Sequence, residues 1–404
     1  MRILFANHTS AWSGGEVSLM RLVEGLRPDH DVCVACPATG ALADAVDRAG
    51  VYRLSLPAVD ASLRLHPLQT PVGLAQLGRG GLALARAARR FRADVIHANS
   101  PRVGIMASLA RARGGPPYVV RAHEHVPPTG VGRMVRGLLV RTAGGVAAVS
   151  DYTAERFNEG LAQPVASRVY NSIDHSRFNT AVRPAPLREQ LGLGPDAALL
   201  GQVAQITPWK GQDVAIRTAA GLRQAGLDAH LVVVGEVVFG GKGVRYDNHA
   251  FRASLEGLVD ELGVRETVHF LGQRDDMPEL VCALDLSLLP SWEEPFGLVT
   301  VESMAVGTPP LVGQVGAGPE LVEDGVSGRV LPPREQEPWV RAARELLADR
   351  DALRRMSEAG PAAAARFSDA AHARGMLALY RAALAPRVAA ADRRDDRAEA
   401  PWPG

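Results

Sequence analysis

Short apolar runs alternate with longer amphipathic stretches along the first 180 residues of the chain. The short runs are rich in Val, Ile, Leu and Ala and predict β-strands, whereas the longer stretches repeat their apolar positions at helical spacing. The predicted strands are residues 3–6, 31–35, 51–56, 94–98, 118–122, 146–150 and 168–171, and the predicted helices include residues 16–26, 42–49, 81–91 and 103–111. Apolar strands that alternate with helices are typical of a parallel sheet covered on both faces.

A polar, proline-containing stretch at residues 179–195 interrupts this pattern, which then restarts. The second set comprises predicted strands at residues 199–205, 230–234, 268–271, 286–289 and 310–312, and predicted helices at residues 212–224, 251–261, 277–284 and 298–305. The sequence therefore predicts two α/β domains in tandem, residues 1–180 and 181–370. Residues 387–404 mix Arg, Asp, Ala and Pro without periodicity and are expected to be a disordered tail.

Composition and charge refine this picture. With 404 residues, of which 47% are hydrophobic and 22% charged, the chain is long enough for two globular cores. Its net charge of +1 gives no overall attraction for nucleic acid, so no nucleic-acid partner is expected. Residues 1–180, however, carry 21 arginines against 13 acidic residues. This excess fits either solvated helix faces or attraction to an anionic acceptor or a membrane surface.

The cysteines and the apolar runs bear on the cellular location. Cys33 and Cys36 form a C-x-x-C pattern, but residues three apart on a strand face opposite sides, so they are interpreted as buried structural thiols. Three scattered thiols fit a reducing cytoplasm. The first apolar run ends by Asn7, and no run reaches the length of about 18 residues that a spanning helix needs. We therefore expect a cytoplasmic protein, with peripheral contact at the inner membrane face left open.

Candidate chemistry follows the predicted strands of the first domain, where open parallel sheets bind ligands. Residues 13–16 (Ser-Gly-Gly-Glu) follow the first strand and open a helix, so their backbone amides can approach an anion closely. These residues do not form the G-x-G-x-x-G fingerprint of dinucleotide-binding proteins. Its absence here disfavours a nicotinamide dehydrogenase. His123 and His125 end another strand, where a histidine can donate to a substrate oxygen or stabilise charge. No metal is expected there, because an H-x-H pair without a third ligand is a weak metal signal.

Two motifs of the second domain place charges at helix starts. Lys210 lies between a strand and a helix, where a lysine can bind a diphosphate as a point charge. Glu294 lies in the loop after a strand, and Glu302 lies about one turn inside the next helix. The amides of residues 296–299 suit a phosphate, and sugar or ribose hydroxyls suit the two carboxylates. An ordinary capping glutamate and surface charges remain the alternative.

With these motifs the chain resembles glycosyltransferase family 4, a large retaining group of GT-B fold, over about residues 1–385. Residues 294–302 are similar to the E-x7-E motif of that family in its E-P-F-G-L form, and supporting stretches lie at residues 149–150, 171–174, 271–272, 284–286, 316–320 and 324–325. The resemblance implies two Rossmann-like domains that face each other across a cleft. The first would bind the acceptor and the second the nucleotide sugar, and a helix over residues 371–386 would pack back on the first domain.

The resemblance also implies roles for individual residues. His123 and Glu294 would be the catalytic residues at the transferred sugar, Lys210 would bind the diphosphate, and Glu302 would hold the ribose. The other donor-binding residues would be Gly14, Gly15, Gln205, Gly235, Arg274, Phe296, Gly297, Leu298 and Val299, and the acceptor contacts would be Glu16, Asn99 and His125.

One position departs from the family pattern. Members usually carry Gly-Arg before the lysine motif, whereas this chain has Ala204 and Gln205, so one positive charge opposite the leaving diphosphate is missing. Arg274, or Lys242 in the glycine-rich loop of residues 240–243, is the hypothesised substitute.

The predicted activity is transfer of a sugar from a nucleoside diphosphate to an acceptor hydroxyl, with retention and without a metal or another cofactor. UDP is favoured over GDP, and the acceptor is expected to be a small molecule, a lipid-linked molecule or a natural-product core. A GT-B epimerase or phosphorylase and a non-catalytic nucleotide-sugar binder remain as alternatives. An epimerase would convert its nucleotide sugar without an acceptor, and a binder would hold the donor without turnover.

Overall fold

The computed structural model describes residues 1–60, 69–126, 129–238 and 245–385. The predicted tail at residues 387–404 and the loop that carries Lys242 lie outside this part of the chain. The described residues form two separate parallel sheets, each flanked by helices.

The first sheet contains seven parallel strands in the order β3-β2-β1-β4-β5-β6-β7. They are β1 (Arg2–Ala6), β2 (Asp31–Cys36), β3 (Tyr52–Ser55), β4 (Val95–Ala98), β5 (Tyr118–Ala122), β6 (Gly145–Ala148) and β7 (Ala166–Arg168). The helices of this half are α1 (Gly14–Leu26), α2 (Ala41–Arg48), α3 (Gln69–Phe91), α4 (Pro101–Ala112), α5 (Gly130–Thr142) and α6 (Asp151–Asn158). The strand order reverses between β1 and β4, and ligands of such sheets bind outside the carboxyl ends of the strands at that point.

The second sheet contains six parallel strands in the order β10-β9-β8-β11-β12-β13. They are β8 (Ala198–Val203), β9 (Ala229–Val234), β10 (Val268–Gly272), β11 (Leu286–Leu289), β12 (Pro310–Gly313) and β13 (Arg329–Leu331). The helices are α7 (Leu187–Gln190), α8 (Gln212–Gln224), α9 (Asn248–Glu261), α10 (Met277–Cys282), α11 (Leu298–Val306), α12 (Gly318–Leu321), α13 (Gln336–Ala348), α14 (Arg350–Ala364) and α15 (Asp369–Leu384). Here the strand order reverses between β8 and β11.

Burial on both faces explains why the central strands are almost wholly apolar. Each residue of β4 and of β11 is buried, as expected for the inner strands of a parallel sheet. Helices then cover the two faces of each sheet, which produces two apolar layers per domain. The predicted class, α/β with two Rossmann-like domains, is confirmed.

The last helix leaves the second sheet and packs on the first. α15 contacts α1, β4, β5 and β6, and Arg21 of α1 forms an ion pair with Asp369 at its start. A Cβ on Gly144 would lie 2.4 Å from the Cβ of Ala383, so the helix approaches the sheet closely. α15 therefore ties the end of the described chain to the first domain.

Candidate active site

A buried ion pair marks the carboxyl edge of the second sheet. β8 leads into a 3-10 turn, Pro208–Lys210, and β11 leads into the loop that carries Glu294. The Nζ of Lys210 lies 2.6 Å from Oε2 of Glu294, and the two side chains are only 15% and 12% exposed. The hydroxyl of Ser291 donates a second hydrogen bond to the same oxygen at 3.0 Å. The site therefore contains one cation and one carboxylate that already neutralise each other.

Two glycines with positive φ give the Glu294 loop its shape. Gly297 is the N-cap of α11 with φ +90°, and Gly316 has φ +98°. Gly316 forms a parallel bridge with Glu294, and the amide of Ala317 donates to the Glu294 carbonyl at 2.9 Å. A Cβ on Gly316 would lie only 2.3 Å from that carbonyl oxygen. The loop can therefore adopt this position only with glycine at residue 316.

We expect Gly316→Ala to destabilise the fold more than Gly325→Ala, because only the first change adds a steric clash to the cost of a positive φ. Gly325 has φ +78° and open space around the position that a Cβ would occupy, so its alanine should cost about 1–2 kcal/mol. Urea unfolding of the two variants measures the difference. Equal free energies of unfolding would show that the close approach at Glu294 does not restrict residue 316.

Glu302 lies one turn into α11 and is half-buried. Burial raises the pKa of its carboxyl group to about 7, and the charge of Arg177 only partly opposes this. Among the described residues, none donates a hydrogen bond to this carboxylate. A desolvated carboxylate without a partner is stabilised by ligand hydroxyl groups that donate to it.

The start of helix α1, beside the first sheet, faces the start of helix α11, beside the second sheet. A Cβ on Gly14, at the start of α1, would lie 3.4 Å from Cδ1 of Leu298 at the start of α11. A Cβ on Gly15 would lie 3.7 Å from the ring of His123, which follows β5. The N-termini of α1 and α11 therefore approach each other, and both favour an anion between them.

His123 is a neutral side chain that contacts the amide of Asn99. Its Nε2 lies 2.9 Å from Oδ1 of the buried Asn99. Desolvation lowers its pKa well below 6.5, and the nearby charge of the buried Arg121 lowers it further. Desolvation also lowers the pKa of Arg121 to about 9. The guanidinium of Arg121 has one short hydrogen bond, 2.6 Å to Oδ1 of Asn171.

A contact between the two domains lies beside the Glu294 loop. Glu320, in α12 of the second domain, accepts hydrogen bonds at 2.7 Å from the amides of Asp151 and Tyr152 at the start of α6. The hydroxyl of Thr153 donates to the carbonyl of Pro295 at 3.3 Å. Negative charge at a helix N-terminus is favourable, so these contacts stabilise the facing arrangement of the two sheets.

The structure brings most predicted site residues together. Gly14, Gly15, His123, Lys210, Glu294, Gly297 and Leu298 form one cluster, and Val299 and Glu302 lie on the same helix as Leu298. Phe296 is buried against Tyr170 and Phe367, so its side chain serves packing and only its backbone faces the helix start. Gly235 has φ +127°, and a Cβ there would lie 2.1 Å from the carbonyl of Ala204, so this glycine joins the ends of β8 and β9.

Three residues that were predicted to contact a ligand form contacts with other residues of the chain. The carboxylate of Glu16 is buried and accepts hydrogen bonds from Asn7 and Ser13, so it caps α1 instead of facing an acceptor. Asn99 lies beneath His123 and contacts that ring. Arg274 forms two hydrogen bonds, 2.8 and 2.6 Å, with Asp276, so it does not offer a free charge in place of the missing arginine.

The remaining predictions concern His125 and Gln205. His125 packs edge-on against Tyr152, with ring centroids 4.8 Å apart, and neither ring nitrogen has a partner among the described residues. The carbonyl of Gln205 accepts a hydrogen bond from Gln212 at 2.9 Å. Both residues follow strands on the carboxyl edges of their sheets.

Sequence reasoning assigned no contact to Asn7, Ser291 or Glu320, although Glu320 lies in the stretch 316–320 that resembles the family. Asn7 directly follows β1, beside the reversal of strand order, and this position was the available signal. Ser291 and Glu320 contact residues that only the folded chain brings near. Within the described ranges, no helix is long and apolar enough to cross a membrane, and no group of three or more acidic, His or Cys side chains could hold a metal ion.

Two doubly wound sheets whose carboxyl edges face each other, with helix N-termini, a lysine and two glutamates between them, define a GT-B protein. Residues 13–171 match the family "Glycosyl transferase 4-like domain", and residues 185–363 match the family "Glycosyl transferases group 1". The D-inositol 3-phosphate glycosyltransferase of Stackebrandtia nassauensis is 30% identical over 74% of this chain and 72% of that protein. The chain therefore belongs to glycosyltransferase family 4.

Other relatives match over different shares of the chain. The D-inositol 3-phosphate glycosyltransferase of Nocardia farcinica is 38% identical over 52% of this chain and 46% of that protein, so the match spans about half of that relative. The structure of HepE from Anabaena in complex with UDP-glucose has a TM-score of 0.80 at 25% identity, over 94% of this chain and 98% of that one. Sucrose-phosphate synthase from Thermosynechococcus elongatus, with a TM-score of 0.76 at 21% identity over 94% of this chain and 98% of that one, shares the fold.

Proposed function

We propose that the chain is a retaining glycosyltransferase that moves a sugar from a UDP-sugar to an acceptor hydroxyl without a metal ion. The observation that carries the proposal is the ion pair of Lys210 and Glu294 beside the start of α11, with Glu302 one turn further along that helix. A cation for a diphosphate, helix amides for a phosphate and carboxylates for hydroxyls thus occupy one edge of one sheet.

The reaction uses these groups in a fixed order. The entering diphosphate draws Lys210 away from Glu294, which is then free to accept from sugar hydroxyls. As the bond from the anomeric carbon to the phosphate oxygen breaks, Lys210 and the helix amides stabilise the negative charge of the leaving group. The acceptor oxygen bonds to the same carbon from the side on which the diphosphate departs, and its proton passes to the leaving phosphate. Family membership supports this retaining course.

The choice of UDP is supported by the HepE complex with UDP-glucose at 25% identity. Thermal unfolding with UDP, GDP and ADP tests it. A ligand present at 100 times its dissociation constant stabilises by about 2.7 kcal/mol, which raises the melting temperature measurably. We expect UDP to give the largest rise. A rise with GDP alone would contradict the choice of base, and no rise with any nucleotide would contradict a nucleotide site.

A phosphorylated polyol is the acceptor we propose. The first domain has an excess of arginine, and relatives at 30% and 38% identity are named for D-inositol 3-phosphate. Incubation with UDP-glucose and inositol phosphates should give a glycoside and free UDP, with equal rates in excess EDTA. Conversion of UDP-glucose without an acceptor would favour an epimerase, and tight binding without turnover would favour a binding protein. Activity that EDTA removes and Mg²⁺ restores would contradict metal independence.

A further inference from the structure

A chain of buried hydrogen bonds leads from the end of β1 to the ring of His123. It begins at Asn7, whose Nδ2 donates to the carbonyl of Thr9 at 2.8 Å and to Oε1 of Glu16 at 3.0 Å. A backbone carbonyl can only accept a hydrogen bond. The amide of Asn7 is therefore held in one orientation, with its NH₂ towards Thr9 and its oxygen towards Asn99.

The orientation of the Asn7 amide fixes the orientation of the Asn99 amide. Its Nδ2 donates to Oδ1 of Asn7 at 3.1 Å, so its own Oδ1 faces the other way. That oxygen lies 3.3 Å from Nε2 of His97 and 2.9 Å from Nε2 of His123. An amide oxygen is an acceptor only, so both histidines must carry a proton on Nε2.

The second nitrogen of His123 then carries a lone pair. Burial keeps the ring neutral by lowering its pKa well below 6.5, so a ring protonated at Nε2 has no proton on Nδ1. Nδ1 lies beside Gly15, 3.9 Å from a Cβ placed on that residue, and it has no partner among the described residues. Nδ1 is therefore a hydrogen-bond acceptor, and the ring that carries it lies against the glycine turn at the start of α1.

The other end of the network is compatible with the same proton arrangement. Nδ1 of His97 lies 2.6 Å from the hydroxyl of Tyr380 on α15. Because His97 has its proton on Nε2, its Nδ1 accepts, and the tyrosine hydroxyl donates. Every polar atom along the path from Thr9 to Tyr380 thus has a compatible partner.

We propose that Asn7 is a positioning residue that locks His123 in the Nε2–H tautomer, so that Nδ1 accepts a hydrogen bond from a hydroxyl of the transferred sugar. The sugar contact rests on the proposed function, whereas the tautomer does not. This assignment differs from the sequence expectation that His123 donates to a substrate oxygen or stabilises charge. It also gives Glu16 and Asn99, which sequence reasoning assigned to the acceptor, the task of fixing that ring.

Nitrogen-15 spectra of the histidine rings in the ligand-free full chain test the tautomer. His123→Gln and His97→Gln identify the two sets of signals. In the wild type, we expect His123 to show a protonated Nε2 and an unprotonated Nδ1. In Asn7→Leu, the Asn99 amide is free to turn its NH₂ towards His123, so the ring should shift to the Nδ1–H form or exchange between both forms.

Tyr380→Phe is the matched comparison, because it removes one polar group from the far end of the same network. It leaves the path through Thr9, Asn7 and Asn99 intact, so we expect the His97 signals to move and the His123 tautomer to persist. A protonated Nδ1 of His123 in the wild type overturns the proposal, even if Asn7→Leu does not fold. A folded Asn7→Leu with unchanged His123 signals, or an equal change in Tyr380→Phe, also overturns it.

Binding of UDP and UDP-glucose measures the sugar contact separately. We expect the affinity advantage of UDP-glucose over UDP to fall about 5- to 10-fold in Asn7→Leu, with UDP binding unchanged, because one hydrogen bond to the sugar is lost. A donor with fluorine in place of the contacted hydroxyl should lose the same factor in the wild type and nothing in the variant. If no nucleotide binds while the spectra show the stated tautomer, the proposed function fails and the tautomer assignment stands. An unchanged advantage in the variant overturns the sugar contact.

Discussion

Replacement of Lys210 by methionine should lower kcat/KM of the proposed transfer about 100- to 1,000-fold, the loss typical when a preorganised charge opposite a developing anion is removed. Lys210 and Lys242 are the only lysines of the chain, and Arg274 is already paired with Asp276. Lys210 is also paired, with Glu294, but that pair lies beside the start of α11, so it is the cation that we expect to oppose the leaving diphosphate.

The same substitution should also reduce stability. It leaves the carboxylate of Glu294, 12% exposed, without its cation, and breaking a buried ion pair costs up to about 3–5 kcal/mol. The hydroxyl of Ser291 still donates to that carboxylate and limits the loss. The double variant Lys210→Met/Glu294→Gln removes the uncompensated charge, so it should recover the melting temperature but not the activity.

Arg188→Met is the matched control. Arg188 forms an ion pair with Asp285 of the same length, 2.6 Å, in the same domain. Asp285 precedes β11 and bonds the amide of Leu199, so this pair lies at the opposite, amino edge of the sheet. We expect Arg188→Met to lower the melting temperature without a specific loss of UDP affinity. A Lys210→Met enzyme whose kcat/KM falls no further than that of the control would contradict the assigned role.

The two sheets were predictable because their central strands are continuous apolar runs, a pattern that burial on both faces imposes. Strand β13 could not be predicted, because it has only three residues and begins with Arg329. It is recognised only by its pairing with β12. α5 gives a weak helical pattern, since Gly130, Gly132 and Gly137 interrupt it, and the cap from Thr129 becomes visible only in the structure. The strand predicted at residues 168–171 is observed as Ala166–Arg168.

The candidate site was predictable as far as local position determines it. Lys210 and Glu294 follow strands of one parallel sheet, so their convergence could be inferred, although 84 residues separate them. The pairing of Arg274 with Asp276 is local, and the Arg-Asp-Asp spacing could have indicated it. The path from Asn7 to His123 and Tyr380 joins residues up to 283 positions apart. The part from Asn7 through Asn99 to His123 joins residues that end or follow β1, β4 and β5, whereas only the packing of α15 on the first sheet adds Tyr380.

The largest pH effect should come from Glu302, whose pKa burial raises to about 7. If Glu302 accepts from the ribose hydroxyls, as we propose, a protonated carboxyl would do so less well, so donor binding should favour the ionised form. Since the ionised fraction increases about tenfold from pH 6 to pH 8 for a group with this pKa, we expect a similar gain in donor affinity.

UDP-glucose is the ligand for this measurement, because its phosphates are both esterified and do not titrate between pH 6 and 8. UDP itself carries a terminal phosphate with a pKa of about 6, which would add its own pH dependence. Glu302→Gln should flatten the profile and weaken binding at pH 8 about 10- to 100-fold, the range for hydrogen bonds to a charged group. Glu358→Gln removes the same charge from an exposed position of α14 and should leave the profile unchanged.

Stability should show the opposite pH trend in the ligand-free protein. The folded state holds the Glu302 proton up to about pH 7, whereas the unfolded chain releases it near the ordinary value of 4.5. Between these values the folded state binds more protons, so the contribution of Glu302 to the free energy of unfolding falls as pH rises. Urea unfolding should therefore give a smaller difference between wild type and Glu302→Gln at pH 5 than at pH 8, with the variant relatively more stable at pH 8.

A donor that binds through this carboxylate reverses the trend, because it supplies the hydroxyl groups that stabilise the ionised form. A pH-independent difference in both binding and unfolding would place Glu302 outside the donor site.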